Sequence, residues 1–281
     1  MSVAQAFDAI AGTYDDDFSN SLVGRAQRNS VWLDADRSFH PGQHVLEINC
    51  GTGIDAIHLA SRGVDVTACD SSQQMIAVAR RRLEASRIRA KVDFRCVPTE
   101  RIGVLENEGP FDGVLSNFAG LNCVSDLTGI SRALARLVKP GSKAVLCLFG
   151  RVCLWEIGFY FSAGNLKKAF RRFSKHGIGA SLGGSSKFTV HYPTVKLLRK
   201  AFRPHFRLQS QRGVGILVPP SYLERLATSS PRFFRFAAAV DPWLGRYPGA
   251  RALSDHIVLT FERTGEPWLI GGPQLPLTTG T

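Results

Sequence analysis

The chain reads as an α/β protein built on one mostly parallel sheet of about seven strands. Three observations lead there. His44–Ala60 runs as a short apolar strand, a glycine turn and a helix. Apolar strands then alternate with helical patterns from Val64 to Phe149, the order that builds a parallel sheet. Two further strand-like runs, 206–218 and 255–262, follow towards the C-terminus.

The opening unit carries most of the information. Val45, Leu46 and Ile48 form the strand. Gly51 and Gly53 can take positive φ and let a ligand approach the backbone. Ile54, Ile57 and Leu59 suit the buried face of a helix, whose first N–H groups are free to meet a ligand. Gly51-Thr-Gly53-Ile-Asp-Ala56 also fits the dinucleotide pattern G-x-G-x-x-A, with Asp70 at a distance suited to a ribose. Glu47, four residues before Gly51, separates the two readings: an acid there suits a cationic amino group and is a poor neighbour for a pyrophosphate. The run Glu47-Ile-Asn49-Cys-Gly51-Thr-Gly53 resembles the first motif of class I S-adenosylmethionine-dependent methyltransferases, Glu/Asp-x-Gly-x-Gly-x-Gly. Asn49 stands where that family has its first glycine. Asn is among the few residues that tolerate left-handed geometry. The resemblance implies a Rossmann-like sheet with an antiparallel last strand. It also implies S-adenosyl-L-methionine as cofactor, held around Glu47, Asn49, Gly51 and Gly53.

The N-terminal stretch Phe7-Asp-Ala-Ile-Ala-Gly-Thr-Tyr14-Asp15 resembles the lead-in of ubiquinone/menaquinone-type methyltransferases, which folds over the cofactor. Tyr14 is therefore a candidate cofactor contact and a candidate catalytic hydroxyl. Residues 22–39 read as a helix, broken by Pro41-Gly42. Val64–Cys69 is the second strand, and Asp70 at its end can accept two hydrogen bonds from ribose hydroxyls. Ser71 and Met75 follow on the next helix start, which Ser71 and Ser72 can cap. Lys91–Val97 alternates as a third strand. Pro98 occupies the position where the family usually has an acid, so adenine recognition falls to backbone groups near Thr99. Phe111–Asn122 is the fourth strand and its exit. In the resembling family this loop passes the methyl donor, which implies cofactor contacts for Asn117 and Phe118 and an acceptor contact for Asn122. A helix over 130–137, Lys139-Pro-Gly141 and an apolar strand over 143–149 complete the regular pattern.

Two stretches interrupt it. The first, 151–187, holds the aromatic run Trp155, Phe159, Tyr160, Phe161, then a basic helix, then the Gly/Ser-rich 178–186, which reads as a loop. The second, 219–253, is an extra helical stretch with Trp243. Together they are expected to form a helical cap, with Trp155, Phe159 and Tyr160 binding the acceptor. The organisation is thus a lead-in over 1–40, a cofactor-binding core over 41–150, a cap insertion over 151–190, the C-terminal part of the core over 191–263, and a Gly/Pro-containing tail over 264–281 of low expected order. His191, between the loop and the next helix, is the best-placed candidate base.

Composition narrows the function classes. With 281 residues, 44% hydrophobic and 21% charged, the chain is ordinary globular material. No stretch reaches the ~18 apolar residues of a membrane span, and the N-terminus lacks the apolar core of a signal peptide. Six scattered cysteines without metal or redox spacing point to reduced thiols and a cytoplasmic setting. The seven histidines show no metal spacing, and no metal is expected. Residues 151–212 carry thirteen Lys/Arg against one acid, Glu156, as large an excess as the chain's whole net charge of +12. Basic residues beside aromatics suit a peripheral contact with the inner face of an anionic membrane. Nucleic acid is disfavoured because no stacking motif accompanies the charge. The leading function is methyl transfer to a small apolar or amphipathic acceptor. The alternatives are an NAD(P)-dependent oxidoreductase and a non-catalytic cofactor-binding module that acts through interactions.

Overall fold

The computed structural model describes residues 2–182 and 186–265. The expected tail, from residue 266 onward, lies outside the described residues. Helix α1 (Val3–Asp8) and a π-helical turn (Asp15–Ser19) lead into α2 (Leu22–Ser38). The core then alternates β1 (His44–Ile48), α3 (Ile54–Ser61), β2 (Asp65–Asp70), α4 (Gln73–Ala85), β3 (Val92–Cys96), β4 (Phe111–Ser116), α5 (Leu127–Leu137) and β5 (Val138–Phe149). The first interruption forms α6 (Leu154–Ser162), α7 (Leu166–Ala169), β6 (Ile178–Leu182) and β7 (Ser186–Val190). Helix α8 (Val195–Phe202) and β8 (Phe206–Val214) return to the core. The second interruption forms α9 (Glu224–Ser229), α10 (Pro231–Leu244) and α11 (Pro248–Arg251), and β9 (His256–Arg263) closes the fold.

Seven strands lie in the order β3-β2-β1-β4-β5-β9-β8. The pairs from β3 to β5 are parallel, while β9 runs antiparallel to both β5 and β8. The expected Rossmann-like sheet with an antiparallel last strand is therefore present. Helices cover both faces, as a mostly parallel sheet requires. On one face Leu46, Val114 and Leu146 pack under α5 and α8. On the other, Val45, Val66 and Leu115 pack under α2, α3 and α4. Side chains alternate between faces along a strand. Leu46 and Ile48 therefore face α5, whereas Val45 and Glu47 face α2 and α3. Gly53 opens α3 at φ +76°, and a Cβ there would meet the Phe94 ring at 2.7 Å and the Ala79 Cβ at 2.8 Å.

The interruptions depart from expectation in two respects. The Gly/Ser-rich stretch is not a plain loop: β6 and β7 pair as an antiparallel hairpin from Ile178↔Val190 to Leu182↔Ser186. Alternating small and apolar residues permit a strand where glycine content alone suggests a turn. The second interruption lies to one side, against the edge strand β8, where the Gly213 N–H donates to the Gly245 carbonyl at 2.9 Å. It packs beside α2, with Val218, Ala227 and Phe234 closing on Val23. The two interruptions do meet. The Trp155 indole N–H donates to the Ile216 carbonyl at 2.9 Å, and the Phe159 and Tyr160 rings lie 5.9 and 6.0 Å from Tyr222.

A buried ion cluster fastens the first interruption to β9. Arg172 donates to Glu156 at 2.9 Å and to Asp255 at 2.7 Å, and also to the Gly150 and Asp255 carbonyls. Arg171 pairs with the same Glu156 through two hydrogen bonds. Burial opposes ionisation of Glu156 and Asp255, but their cationic neighbours overcome it and hold both carboxyls below the ordinary range. Carboxyls depressed in the fold stabilise it above their unfolded pKa values of about 4 and lose that contribution as pH falls further. Replacing Arg172 by Met should cost ~3–5 kcal/mol at neutral pH, because two carboxylates stay buried with less compensation. Chemical denaturation at pH 7 and at pH 4 checks this: the loss should shrink at the lower pH.

Candidate functional site

The sheet order reverses between β1 and β4: the chain runs to β2 and β3 on one side and to β5 on the other. Open α/β sheets bind ligands in the crevice outside the carboxyl ends of the strands at such a switch point. A cavity of about 410 Å³ lies there. Its floor is the turn after β1, with left-handed backbone at Asn49 (φ +58°), Gly51 (φ +53°) and Gly53 (φ +76°). A Cβ on Gly51 would meet nothing within 4 Å, so the backbone there is open to a ligand. The opposite wall is the exit of β4, also left-handed at Phe118 (φ +47°) and Ala119 (φ +63°).

At one end Asp70 closes β2. Its two oxygens accept the Gly51 N–H at 3.0 Å and the Ser72 N–H at 2.9 Å, one bond each. Each oxygen keeps acceptor capacity for a ligand hydroxyl. Burial pushes the Asp70 carboxyl up, and the surrounding N–H groups work against that rise. Ser71, Met75, Pro98 and Thr99 complete this end.

Asp55 organises the other end. It sits in the first turn of α3, where the helix dipole favours an anion. Its carboxylate accepts the Trp32 indole N–H at 2.6 Å, the Asn117 amide at 3.2 Å and an ion pair from Arg28. The Arg28 guanidinium lies 4.5 Å from the centre of the Phe118 ring. Two buried polar atoms here have no partner among the described residues: Arg28 Nε and Glu47 Oε2. Burial raises the Glu47 carboxyl well above the ordinary range, and the charge of Asp55 adds to the rise.

The lead-in closes the top. Asp8 accepts the Ser72 hydroxyl at 2.6 Å and the Gln74 N–H at 3.0 Å. Asp15 accepts the Thr52 hydroxyl at 2.7 Å and pairs with Arg82. Tyr14 is thereby held over the cavity, its ring 5.1 Å from Phe18. Burial pushes its phenol up, so it is a hydrogen-bond donor at neutral pH and not a base. Phe7 packs 5.8 Å from Phe188 of β7, which joins the hairpin to this lid.

Of the residues singled out in the sequence, Tyr14, Asn49, Gly51, Asp70, Ser71, Met75, Thr99, Asn117 and Phe118 line the cavity. Glu47 and Gly53 lie beneath it without lining it: Glu47 is buried at the end of β1 and Gly53 packs on Phe94. The acceptor-side candidates fall elsewhere. Asn122 is a structural clamp, with its amide donating to the His191 carbonyl at 2.6 Å and accepting the Phe149 N–H at 3.0 Å. His191 is held by that clamp and does not line the cavity. Trp155, Phe159 and Tyr160 pack on the second interruption instead, because α6 leaves β5 towards α9 and α11. Arg28 and Asp55 were not singled out, and the site depends on both. The available signal was the i, i+4 spacing of Arg28 and Trp32, which puts two donors on one helix face.

Asn49 is accommodated by a specific exchange. Its amide donates to the Thr99 hydroxyl at 2.6 Å and accepts from the Ser116 hydroxyl at 3.3 Å. A Cβ on Gly120 would lie 2.3 Å from the Asn49 Cβ, so the glycine at 120 makes room for the side chain at 49.

Residues 45–141 match the family profile described as a methyltransferase domain. A demethylmenaquinone methyltransferase of Beutenbergia cavernae is 33% identical over 149 residues, 52% of this chain and 58% of that protein. Over these residues the chain is similar to class I S-adenosylmethionine-dependent methyltransferases. A ubiquinone biosynthesis O-methyltransferase of Pseudomonas aeruginosa is 37% identical over 121 residues, 43% of this chain and 50% of that protein. The chain thus spans little more than half the length of these methyltransferases. Among solved structures, a methyltransferase from Methanosarcina mazei shares the fold, with a TM-score of 0.57 and 18% identity over 83% of this chain and 98% of that one. The family match covers the cofactor-side strands and stops before both interruptions.

Two predictions follow from this geometry. Gly120→Ala should destabilise the fold by ~1–3 kcal/mol through overpacking, and adding Asn49→Gly should recover most of it. A double-mutant cycle by thermal or chemical denaturation measures the coupling. Separately, a carboxyl raised in the fold stabilises most below its unfolded pKa, and that contribution declines as pH rises towards the folded value. Glu47→Gln should therefore flatten the decline in stability above about pH 5, as read from denaturation midpoints across pH 5–9.

Proposed function

We propose that this protein transfers a methyl group from S-adenosyl-L-methionine to a small apolar or amphipathic acceptor. The observation that carries this is the polarity of the switch-point cavity. A half-buried carboxylate with spare acceptor capacity, Asp70, marks one end. At the other end stands Arg28, whose Nε–H has no partner among the described residues, with the buried Glu47 carboxyl beneath. That pattern suits a molecule with ribose hydroxyls at one end and a zwitterionic amino acid at the other. When bound, the sulfonium cofactor supplies an already activated methyl group.

The residues present fit it. Asp70 would take the ribose hydroxyls, and Met75, Pro98 and the backbone near Thr99 would hold the adenine. Arg28 would meet the carboxylate, while Asp55, with Glu47 behind it, would favour the ammonium. The lid, through Val3, Phe7 and Tyr14, excludes water and narrows the entry to small acceptors. Alignment and dryness are the protein's main contributions to such a displacement. The Cys123 thiol at the rim is pushed up to about 11 by burial, then by Asp70 and Glu100, so it stays protonated and uncharged at neutral pH. The names of the curated relatives, demethylmenaquinone methyltransferase and ubiquinone biosynthesis O-methyltransferase, support an acceptor of the quinone-precursor class: an aromatic ring, often with a greasy tail.

Asp70→Ala should weaken binding of S-adenosylmethionine and S-adenosylhomocysteine by ~1.5–3 kcal/mol, the value of hydrogen bonds to a charged group. Isothermal titration calorimetry reads this directly. Turnover is tested with a methyl-labelled donor against quinol, phenol and fatty acceptors. Tight NAD binding with no binding of either sulfur ligand would falsify the proposal.

A further inference from the structure

Helix α10 carries two apolar rows, and the fold uses one of them. Phe234, Ala237 and Asp241 are buried. Phe233, Phe236, Val240 and Trp243 form the second row, within a sector of about 80° on a helix that advances 100° per residue. This row is turned more than about 100° away from the first. Phe233, Phe236 and Trp243 are 58%, 60% and 53% exposed. Tyr247, also exposed, extends the row, with its ring 4.8 Å from Trp243. Arg232 and Arg235 flank it, both exposed.

The first interruption adds a second set of exposed apolar side chains. Phe161, Leu166, Phe170 and Phe173 project from α6, α7 and the turn after them, among the exposed Lys167, Lys168 and Lys175. The two sets are joined, since the Leu154 N–H donates to the Leu253 carbonyl and Phe159 meets Tyr222. The acids of these segments are turned inward. Glu156 is buried on Arg171 and Arg172. Glu224 accepts the Leu22 and Val23 N–H groups, and Asp241 accepts those of residues 215–218. The exposed charge on this surface is therefore positive, interleaved with aromatic rings.

Topology sets its position. β5 and β8 both run parallel to β1 and so end at the cavity edge, and the antiparallel β9 starts there. Every segment of the surface leaves or rejoins the sheet at that edge. We infer that this aromatic and cationic surface of α6, α7 and α10 docks on an anionic lipid bilayer, presenting the cavity edge to it. Exposed apolar patches of this extent mark interaction sites. Rings that enter the headgroup region beside Lys and Arg suit an anionic interface. A second copy of the chain would set like charges face to face. The sequence placed the lipid contact in 151–212. In the fold, four cations of that range, Arg151, Arg171, Arg172 and Arg212, are spent on internal hydrogen bonds, and α10 takes their place. The surface is independent of which acceptor the cavity takes.

Vesicle flotation of the full chain tests this, with phosphatidylcholine alone or mixed with phosphatidylglycerol. The chain should float with the mixed vesicles, stay behind with the neutral ones, and be released as salt rises. Arg232→Glu with Arg235→Glu should lower partitioning about tenfold or more. Phe233→Ser with Phe236→Ser should do the same with circular dichroism unchanged, and Lys167→Glu with Lys168→Glu gives a third reading on α7. Two results overturn the inference. One is no vesicle binding, or equal binding to both compositions. The other is a dimer, seen by sedimentation without lipid, that these variants dissociate.

Discussion

The carboxylate of Asp55 is the point on which the site depends. It receives Arg28 and Trp32 from α2 and Asn117 from the exit of β4, while sitting in the first turn of α3. Three elements from distant parts of the chain are thus fixed around one buried charge. A buried carboxylate is tolerable only when its lone pairs are filled. The same three donors also place Phe118 under the Arg28 guanidinium, which shapes the inner wall of the cavity. Its neighbour Glu47 lacks such partners on one oxygen and is driven towards the neutral form.

Polar ties of the same kind hold the lid. Asp8 bonds to the start of α4, and Asp15 to a turn hydroxyl. The apolar layers beneath are dense on both faces of the sheet and carry no part of the cavity's polar wall.

Both interruptions sit at the cavity edge and are tied to each other and to β9, and the β6–β7 hairpin reaches the lid through Phe188 on Phe7. The Arg172 cluster explains the first attachment, and the Asp241 carboxylate, which takes four backbone N–H groups, explains the second. Burial of these acids leaves the outer surface cationic. The basic excess of the chain is thus split: part of it is internal structure, and part is presented to the surroundings beside exposed rings.

The sequence by itself determined the sheet, its opening turn and one end of the cavity. Apolar runs of strand length and glycines at 51 and 53 are local signals, and Asp70, Met75, Thr99 and Asn117 follow at strand ends, where position along the chain dictates position in space. The antiparallel β9 came through resemblance to the family. Only tertiary structure decided the rest. Arg28 and Asp55 are separated by 27 residues, and nothing local pairs them. Asn122 and His191 looked functional because they flank the right edges, but packing made one a clamp for the other's backbone. Trp155, Phe159 and Tyr160 read as acceptor contacts because aromatic residues suit a greasy pocket. They face the second interruption because the direction in which α6 leaves β5 is set by contacts with residues 216–253. Glycine content suggested a loop where pairing produced a hairpin. Which charges are buried and which are exposed depends on partners far apart in sequence, so neither the Arg172 cluster nor the α10 surface could be read before the chain was folded.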